Sequence, residues 1–374
     1  ILLLFAPKPL LVLAAEYDFF PIEATRRTVA RSRKFWALHG KEEQLQLVED
    51  ASPHRYTDAL AAEAAAFFRR HLLGDLHAVP TLPEEERLRP LPPRELWCTR
   101  GGHVREQFPD ARIVRDENIR RAARLEARRE RTKRRELLRE AERWLREKVL
   151  RPRRPHALNP RYVQMGIVDG LRSDYVLWWS QAGIMNSAYV ICAENTECAS
   201  EVPAVLAIWD GGTTELAGHW GWISGACRAG KAVFVLNVSG VGPHAPYPIF
   251  DKPPHAFFGV MHKLADDLIW IGDSLAAMRT YDVLRATELI RTAHGGRYGR
   301  IDGYAEGRND MYLRLAQVLG APIESIEAVG GIGSVTEWVR AADYEEEEAF
   351  SYIIPGMLAY FDLPDWSDGE QPGE

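Results

Sequence analysis

Two blocks of alternating strand-like and helix-like segments constrain the fold of this chain more than any other feature. Within the first 75 residues, the apolar runs PLLVLAAE and EQLQLVED alternate with the helix-like EATRRTVARSRKFWALHG and YTDALAAEAAAFFRRHLL. Continuous apolar strands are typical of parallel sheets that helices cover on both faces. The alternation therefore predicts the α/β class, with a mostly parallel sheet and helices on both faces.

A second block of the same kind follows residue 161. SDYVLWWSQAG and SAYVICAENTEC predict an antiparallel pair, and PAVLAIW and KAVFVLNV predict buried strands. GRID and IESIEAVGG predict two more strands, separated by a helix that begins near Asp310. At 374 residues the chain can hold one large core or parts of two. We therefore expect two α/β units, over residues 1–75 and 161–374.

The connecting segment is unusually basic. Residues 76–98 are rich in proline and predict a linker, and residues 99–160 predict further linker and a helix. Residues 119–154 carry fourteen arginines and two lysines against six glutamates, a net charge of +10 in a chain of −6. Because no glycine or proline interrupts this stretch before Pro152, it predicts one long basic helix. Nucleic acid or an anionic membrane could bind such a helix. No binding motif accompanies the charge, so we prefer a solvated helix that connects or covers domains, and we predict no nucleic-acid partner.

Composition narrows the remaining classes of protein and of functional site. No run of about 18 or more uncharged apolar residues occurs, so no membrane span is predicted. The four cysteines match no zinc spacing, and we predict neither a metal nor a cofactor. Cys192 and Cys198 could pair across a hairpin in an oxidising compartment, although buried free thiols are the preferred interpretation. Secreted, periplasmic and cytoplasmic locations all stay open, as does the oligomeric state.

Two polar residues follow the two apolar strands of the first block. Asp18 comes after LLVLAAE, and His54 comes after LQLVED in a short loop ahead of a helix. The carboxyl ends of parallel strands form the ligand-binding edge of open α/β sheets. An aspartate and a histidine there suit the acid and the base of a hydrolytic triad, in which the imidazole takes the nucleophile's proton and the carboxylate orients the imidazole. Taken singly, each has a simpler interpretation as a turn or loop residue.

These residues also carry a resemblance to a known family. The run APKPLLVLAAEYDFFPIEAT followed by EDASPHRYTDALAAEAAAFFRRHL resembles the end of an α/β-hydrolase of the acetyl xylan esterase and prolyl-oligopeptidase-like branch. In that family the acid follows the seventh strand and the histidine follows the eighth. The resemblance therefore implies catalytic roles for Asp18 and His54.

The second block resembles the beginning and middle of the same family. VPAVLAIWDGG is similar to the third strand and its oxyanion loop, with Asp210 where a His-Gly-Gly loop usually starts. KAVFVLNVSGVG is similar to the fourth strand and its turn, and Met278, Arg279, Tyr281 and Asp282 match a helix motif of the family. GRIDGYAEGRNDMYLRLAQVLGAPIESIEAVGG is similar to the fifth strand, the nucleophile elbow, the next helix and the sixth strand.

The strand-to-helix turn in this last segment has no nucleophile. A working elbow has the form small-x-nucleophile-x-small. Two alignments fit, placing either Ala305 or Gly307 at the nucleophile position, and we prefer Gly307. Neither side chain carries the oxygen or sulfur that a covalent intermediate needs. Glu306 beside the tip could act on water, which is the lesser alternative.

The functional expectation follows from the resemblance. It implies a tandem protein of which this chain, beginning at Ile1 inside a hydrophobic element, is a fragment. The parent is expected to be a serine-type carboxylic ester hydrolase that acts on an acylated carbohydrate or another small ester. Its serine is expected to lie upstream, and the fragment alone is expected to be inactive. The alternatives are a non-catalytic pseudo-hydrolase used for binding or scaffolding, and a peptidase of the prolyl-oligopeptidase type. Two arrangements stay open: separate units, or a permuted one that brings Asp18 and His54 near Gly307.

Overall fold

The computed structural model describes residues 2–77, 91–194, 201–248, 251–293, 296–345 and 347–366. The chain divides into two compact units, Ile1–Pro109 and Asp110–Glu374. Most of the proline-rich stretch, and Cys198 with its predicted pairing, lie outside the described residues. None of the described helices combines the length and the apolar composition that a membrane crossing needs.

The first unit contains a small parallel sheet with helices. Strands β1 (Leu10–Tyr17) and β2 (Leu45–Pro53) pair in parallel, as the continuous apolar runs predict. Helices α1 (Ile22–Ala37), α2 (Asp58–Phe68) and the short α3 (Val104–Gln107) accompany them. Val29, Trp36 and Leu45 form a small core, and the indole of Trp36 donates to the carbonyl of Lys8 at 2.9 Å.

The second unit contains a seven-stranded sheet in the order β3-β4-β5-β7-β6-β8-β9. Its strands are β3 (Arg161–Val168), β4 (Leu171–Gln181), β5 (Ile184–Ala193), β6 (Val202–Ile208), β7 (Ala232–Asn237), β8 (Tyr298–Glu306) and β9 (Ile323–Val329). Strands β7, β6, β8 and β9 are parallel, whereas β3, β4 and β5 run antiparallel in successive pairs, including β5 against β7. The sheet is therefore mixed: its parallel strands and the antiparallel pair β4–β5 agree with the sequence, and β3 adds a further antiparallel strand that the sequence did not predict. Short turns such as Asp169-Gly170, with positive φ at both residues, allow the neighbouring hairpin strands to run antiparallel.

Helices and core cover both faces of this sheet. The helices are α4 (Val114–Arg131), α5 (Arg134–Val149), α6 (Leu216–Arg228), α7 (Val260–Trp270), α8 (Leu275–Thr292), α9 (Asp310–Val318) and α10 (Val335–Arg340). One large apolar cluster joins α5, α8 and α9 to the strands, and a second joins α6 to the strands. Residues 232–237 of β7 are buried without interruption, which explains their continuous apolar sequence.

The basic segment differs from the single long helix that its sequence predicts. It forms α4 and α5, separated at Thr132 and Lys133, whose backbones are extended. Thr132 donates its hydroxyl to the carbonyl of Arg128 at 3.0 Å, so its side chain competes locally for a helical acceptor. Ala141 and Leu145 of α5 are fully buried in the large cluster. This part of the segment is therefore a packed element of the second unit rather than a solvated connection.

Candidate active site

Asp18 and His54, the two predicted acid–base residues, lie side by side in the first unit. The parallel register of β1 and β2 places Tyr17 opposite Pro53, so the next residue of each strand leaves the sheet at the same edge. His54 Nδ1 lies 2.8 Å from Asp18 Oδ2. The structure therefore brings together two side chains that are 36 positions apart in the sequence.

The surroundings of this pair favour one protonation pattern. The other carboxylate oxygen of Asp18 accepts the backbone N–H of Phe20 at 3.1 Å, which orients the carboxylate. The hydrogen bond from His54 lowers the pKa of Asp18, and the bond from Phe20 acts in the same direction. An ionised Asp18 only accepts, so Nδ1 of His54 carries the proton and Nε2 is left as the basic nitrogen. Nε2 has no hydrogen-bond partner among the described residues.

Access to His54 is open. Its side chain is 62% exposed, whereas that of Asp18 is 13% exposed. The ring of Phe19 lies against the imidazole, with centroids 4.5 Å apart. A partly buried carboxylate behind an exposed imidazole is the arrangement in which the carboxylate orients the imidazole and stabilises its charged form.

The strand-to-helix turn of the second unit centres on Gly307, whose side chain offers no nucleophile. Gly307 lies between β8 and α9 with φ of +59°, a left-handed conformation that favours glycine. A Cβ atom placed on Gly307 would meet no atom within 4 Å. Ala305, by contrast, is fully buried within β8. The geometry therefore favours Gly307 as the tip of the turn.

Glu306, beside this tip, is engaged with two other side chains. Tyr304 donates its hydroxyl to Glu306 Oε1 at 2.8 Å, and His219 Nε2 lies 3.1 Å from Glu306 Oε2. His219 Nδ1 lies 2.9 Å from the carbonyl of Glu215, which can only accept. Both carboxylate oxygens of Glu306 therefore already have a side-chain partner.

Aromatic rings hold this cluster in place. The imidazole of His219 stacks on the indole of Trp209, with centroids 3.9 Å apart and planes 6° apart. Trp222 stacks on Tyr304 at 3.9 Å. Burial, followed by the contact with Glu306, raises the pKa of Tyr304 to about 12, so its hydroxyl stays a donor. None of these contacts had been predicted, because His219 and Glu306 are 87 positions apart.

The loop after β6 is tied to the same turn. Asn309 donates from Nδ2 to Asp210 Oδ1 at 2.8 Å and to the carbonyl of Glu306 at 3.0 Å. Asp210 stands where the resemblance led us to expect a histidine. Its carboxylate here accepts a bond that fixes the turn, and it supplies no donor for an oxyanion.

The helix motif around Arg279 and Asp282 forms a buried polar network. Both side chains are fully buried. Asp282 accepts from the backbone and hydroxyl of Ser239 at 2.8 and 2.7 Å and from the hydroxyl of Ser180 at 2.8 Å. Arg279 donates to the carbonyl of Ser239 at 3.0 Å. The motif thus anchors the turn that follows β7 to helix α8, and burial raises the pKa of Asp282.

A second hydroxyl–imidazole contact was missed by the sequence analysis. Ser187 Oγ lies 2.7 Å from His244 Nε2 and accepts from Tyr175 at 2.7 Å and from Asn237 at 2.9 Å. Ser187 is fully buried and its hydroxyl already makes three bonds, so no substrate carbonyl can reach it. The contact is therefore structural, and a serine within a strand gives no sequence signal for it.

The described residues include no group of three or more His, Cys, Asp or Glu side chains that could hold a metal ion. Cys192 and Cys227 are buried free thiols, and burial raises the pKa of Cys227 to about 12. Neither is therefore a reactive thiolate.

No family model matches this sequence, and no curated protein matches it. Solved structures do match this chain. A candidate acetyl xylan esterase from Bacteroides fragilis is similar with a TM-score of 0.52 and 13% identity, covering 76% of this chain and 74% of the other. Acetyl xylan esterase 1 from Thermoanaerobacterium has a TM-score of 0.38 at 12% identity, covering 61% and 74%. Glucuronoyl esterase from Solibacter usitatus has a TM-score of 0.37 at 14% identity, covering 65% and 69%.

The first of these comparisons bears on the fold alone, since so low an identity carries no activity with it. The chain therefore has an α/β fold similar to that of a candidate acetyl xylan esterase.

Proposed function

We propose that the protein containing this chain is a serine-type carboxylic ester hydrolase acting on an acylated carbohydrate or another small ester, with Asp18 and His54 as acid and base. The observation that supports this most is the 2.8 Å contact between His54 Nδ1 and Asp18 Oδ2 at the ends of two in-register parallel strands. The esterase-like fold adds support for ester hydrolysis over other α/β chemistries.

The proposed reaction proceeds in two balanced steps. A serine hydroxyl attacks the ester carbonyl while Nε2 of His54 takes its proton, and the protonated imidazole then gives that proton to the departing alcohol. Water next attacks the acyl-serine and loses a proton to Nε2, which returns it to the serine oxygen as the carboxylic acid leaves. Asp18 keeps the imidazole in the required tautomer and stabilises its charged form throughout.

The nucleophile is proposed to come from a Gly-x-Ser-x-Gly turn in sequence that precedes Ile1, because the turn in this chain has Gly307 at its tip. The second unit is then a degenerate hydrolase unit of a tandem protein. The chain alone is proposed to be inactive toward esters.

The test uses the full-length parent and a chromogenic acetyl ester. The expected result is that His54→Ala lowers the turnover number by about 10²- to 10⁴-fold, the usual contribution of a positioned general base. His39→Ala is the matched control, since His39 is an exposed histidine of the same unit. Equal rates for the parent and His54→Ala would remove His54 from the mechanism. Parallel assays with an acetylated xylan oligosaccharide and a peptide amide separate esterase from peptidase activity.

A second function is favoured by a specific observation. The tip of the turn has no heteroatom at Gly307, and the neighbouring Glu306 is already bonded to His219 and Tyr304. Both features fit a pseudo-hydrolase unit that binds or scaffolds without catalysis. If the parent and its His54→Ala variant hydrolyse no ester but bind acylated oligosaccharide equally, this second function replaces the first.

A further inference from the structure

Helices α4 and α5 carry a row of exposed arginines. The spacing is three or four residues throughout each helix, which places the side chains on one helical face about 4.5–6 Å apart along the axis. We call this set the arginine row. Its members are Arg121, Arg124, Arg128 and Arg131 on α4, and Arg135, Arg139 and Arg143 on α5, and all seven are exposed.

The arginine row has no internal counter-charge. None of its seven side chains takes part in an ion pair among the described residues. Other arginines of the segment do have partners: Arg120 contacts Glu117, Arg146 contacts Glu142, and Arg151 contacts Glu147. The arginines of the row therefore have no ion-pair partner among the described residues, while Glu136 and Glu140 lie about one helical turn from Arg139 and Arg143 on α5.

Packing fixes the direction in which the row faces. On α4 the buried positions are Ala122 and Arg129, and Arg129 bonds the carbonyl of Leu358. On α5 the buried positions include Ala141 and Leu145. At 100° per residue these positions lie on the side away from the row on each helix. The row is consequently held outward by the packing of the opposite faces and needs no folding to present its charges.

We propose that the arginine row binds the carboxylates of an acidic polysaccharide, a chain of uronate-bearing sugars; this rests on the proposed function, whose substrate would be an acyl group on such a carbohydrate. Arginine matches a carboxylate because its planar guanidinium presents two parallel N–H donors to the two oxygens. A repeating row of such groups suits a polymer with repeating carboxylates. The segment's net charge of +10 within a chain of −6 also favours an acidic polymer over a neutral one at these helices.

Two other polyanions fit the surface less well. Single-stranded nucleic acid is held largely by stacking on aromatic rings. Trp144 is the one aromatic residue of α4 and α5, and it is stacked on Tyr360 at 5.0 Å. Membrane-bound helices insert apolar side chains beside their basic ones. The arginine row itself contains no apolar member that could insert.

The test measures binding of the full chain to polygalacturonate, with neutral xylan, duplex DNA and anionic phospholipid vesicles as parallel probes. The expected result is binding to polygalacturonate that weakens as salt rises, with no binding to neutral xylan. Substituting Arg124, Arg128 and Arg135 by Gln together should weaken it about tenfold or more. The matched control replaces Arg27, Arg31 and Lys34, three exposed cations of α1, by Gln with the same loss of charge. The control should bind like the unmodified chain.

Three outcomes would overturn the proposal: equal weakening by both triple variants, tighter binding to DNA or vesicles than to polygalacturonate, or no binding at low salt. Thermal unfolding of both variants confirms that each is folded. The His54→Ala variant separates the two proposals, because it should lose ester hydrolysis in the parent while the chain keeps its polygalacturonate binding. If no ester is hydrolysed in any assay, the proposed function fails, and the polygalacturonate measurement still tests the arginine row.

Discussion

Asn309, the residue before helix α9, donates to Asp210, the second residue after strand β6, across 2.8 Å. This bond ties the loop after β6 to the turn before α9. Gly307, at the tip of that turn, is half-buried, and Asp210 accepts the bond.

Substitution of Gly307 by Ser tests whether the turn lacks only its nucleophile. A Cβ has room, but the left-handed φ of +59° should cost about 1–2 kcal/mol of stability, as it should for the Gly307→Ala control. We expect no burst of acylation when the chain carrying Gly307→Ser meets a chromogenic ester. The imidazole beside the turn, that of His219, already bonds both Glu306 and Glu215.

A burst of acylation in Gly307→Ser, absent from Gly307→Ala, would contradict this expectation. Adding His54→Ala would then identify the base. Loss of the burst in the double variant would show that His54 acts as that base.

Asp18→Asn should leave the imidazole of His54 in place but favour the wrong tautomer. The expected loss of turnover in the full-length parent is about 10⁴-fold. The Michaelis constant should change little, because neither residue is proposed to bind the sugar. Glu43→Gln, a charge change at an exposed position of the same unit, is the control. A loss of turnover below about tenfold would show that the carboxylate does not orient the base.

Asp282→Ala should destabilise the second unit strongly. The substitution strands the backbone and hydroxyl donors of Ser239 and the hydroxyl of Ser180, all in a fully buried site. We expect about 3 kcal/mol or more of lost unfolding free energy, measured by urea titration. Asp267→Ala removes an exposed partner of Lys263 and should cost under about 1 kcal/mol. Equal effects of the two substitutions would show that the buried network contributes little.

His244 predicts a dependence of stability on pH. Burial lowers its pKa, so the unfolded chain takes up a proton at a higher pH than the folded chain does. Its contribution to stability is therefore complete above about pH 6.5 and declines as the pH falls from there through the folded-state pKa. Urea midpoints at about pH 7.5 and about pH 5.5 should fall further apart in the unmodified chain than in His244→Gln. Identical differences in the two proteins would exclude this residue as the cause.

Local sequence patterns predicted buried strands such as β7 and two residues of the candidate active site. The uninterrupted apolar run of β7 predicts a buried strand, because each of its side chains faces a covered side of the sheet. Asp18 and His54 could be singled out because each follows directly after such a strand. Their contact also depended on a register that the sequence left open, with Tyr17 beside Pro53.

Other features depended on parts of the chain that lie far apart in sequence. The break at Thr132 and Lys133 goes against a helix-favouring sequence, and it occurs where α4 and α5 pack against different elements of the second unit. The antiparallel pairing of β5 with β7 was set by the tertiary structure, since strand direction depends on the connections as well as on composition.

The sequence by itself determined most of the strands and several of the helices, and which two residues follow the strands of the first unit, because these depend on periodicity over a few neighbouring residues. The tertiary structure decided that Glu306 is held by His219 and Tyr304, that Ser187 meets His244, and that the arginine row faces outward. Each of these depends on which faces are buried when distant segments pack, and that information is spread over the whole chain rather than held in any one motif.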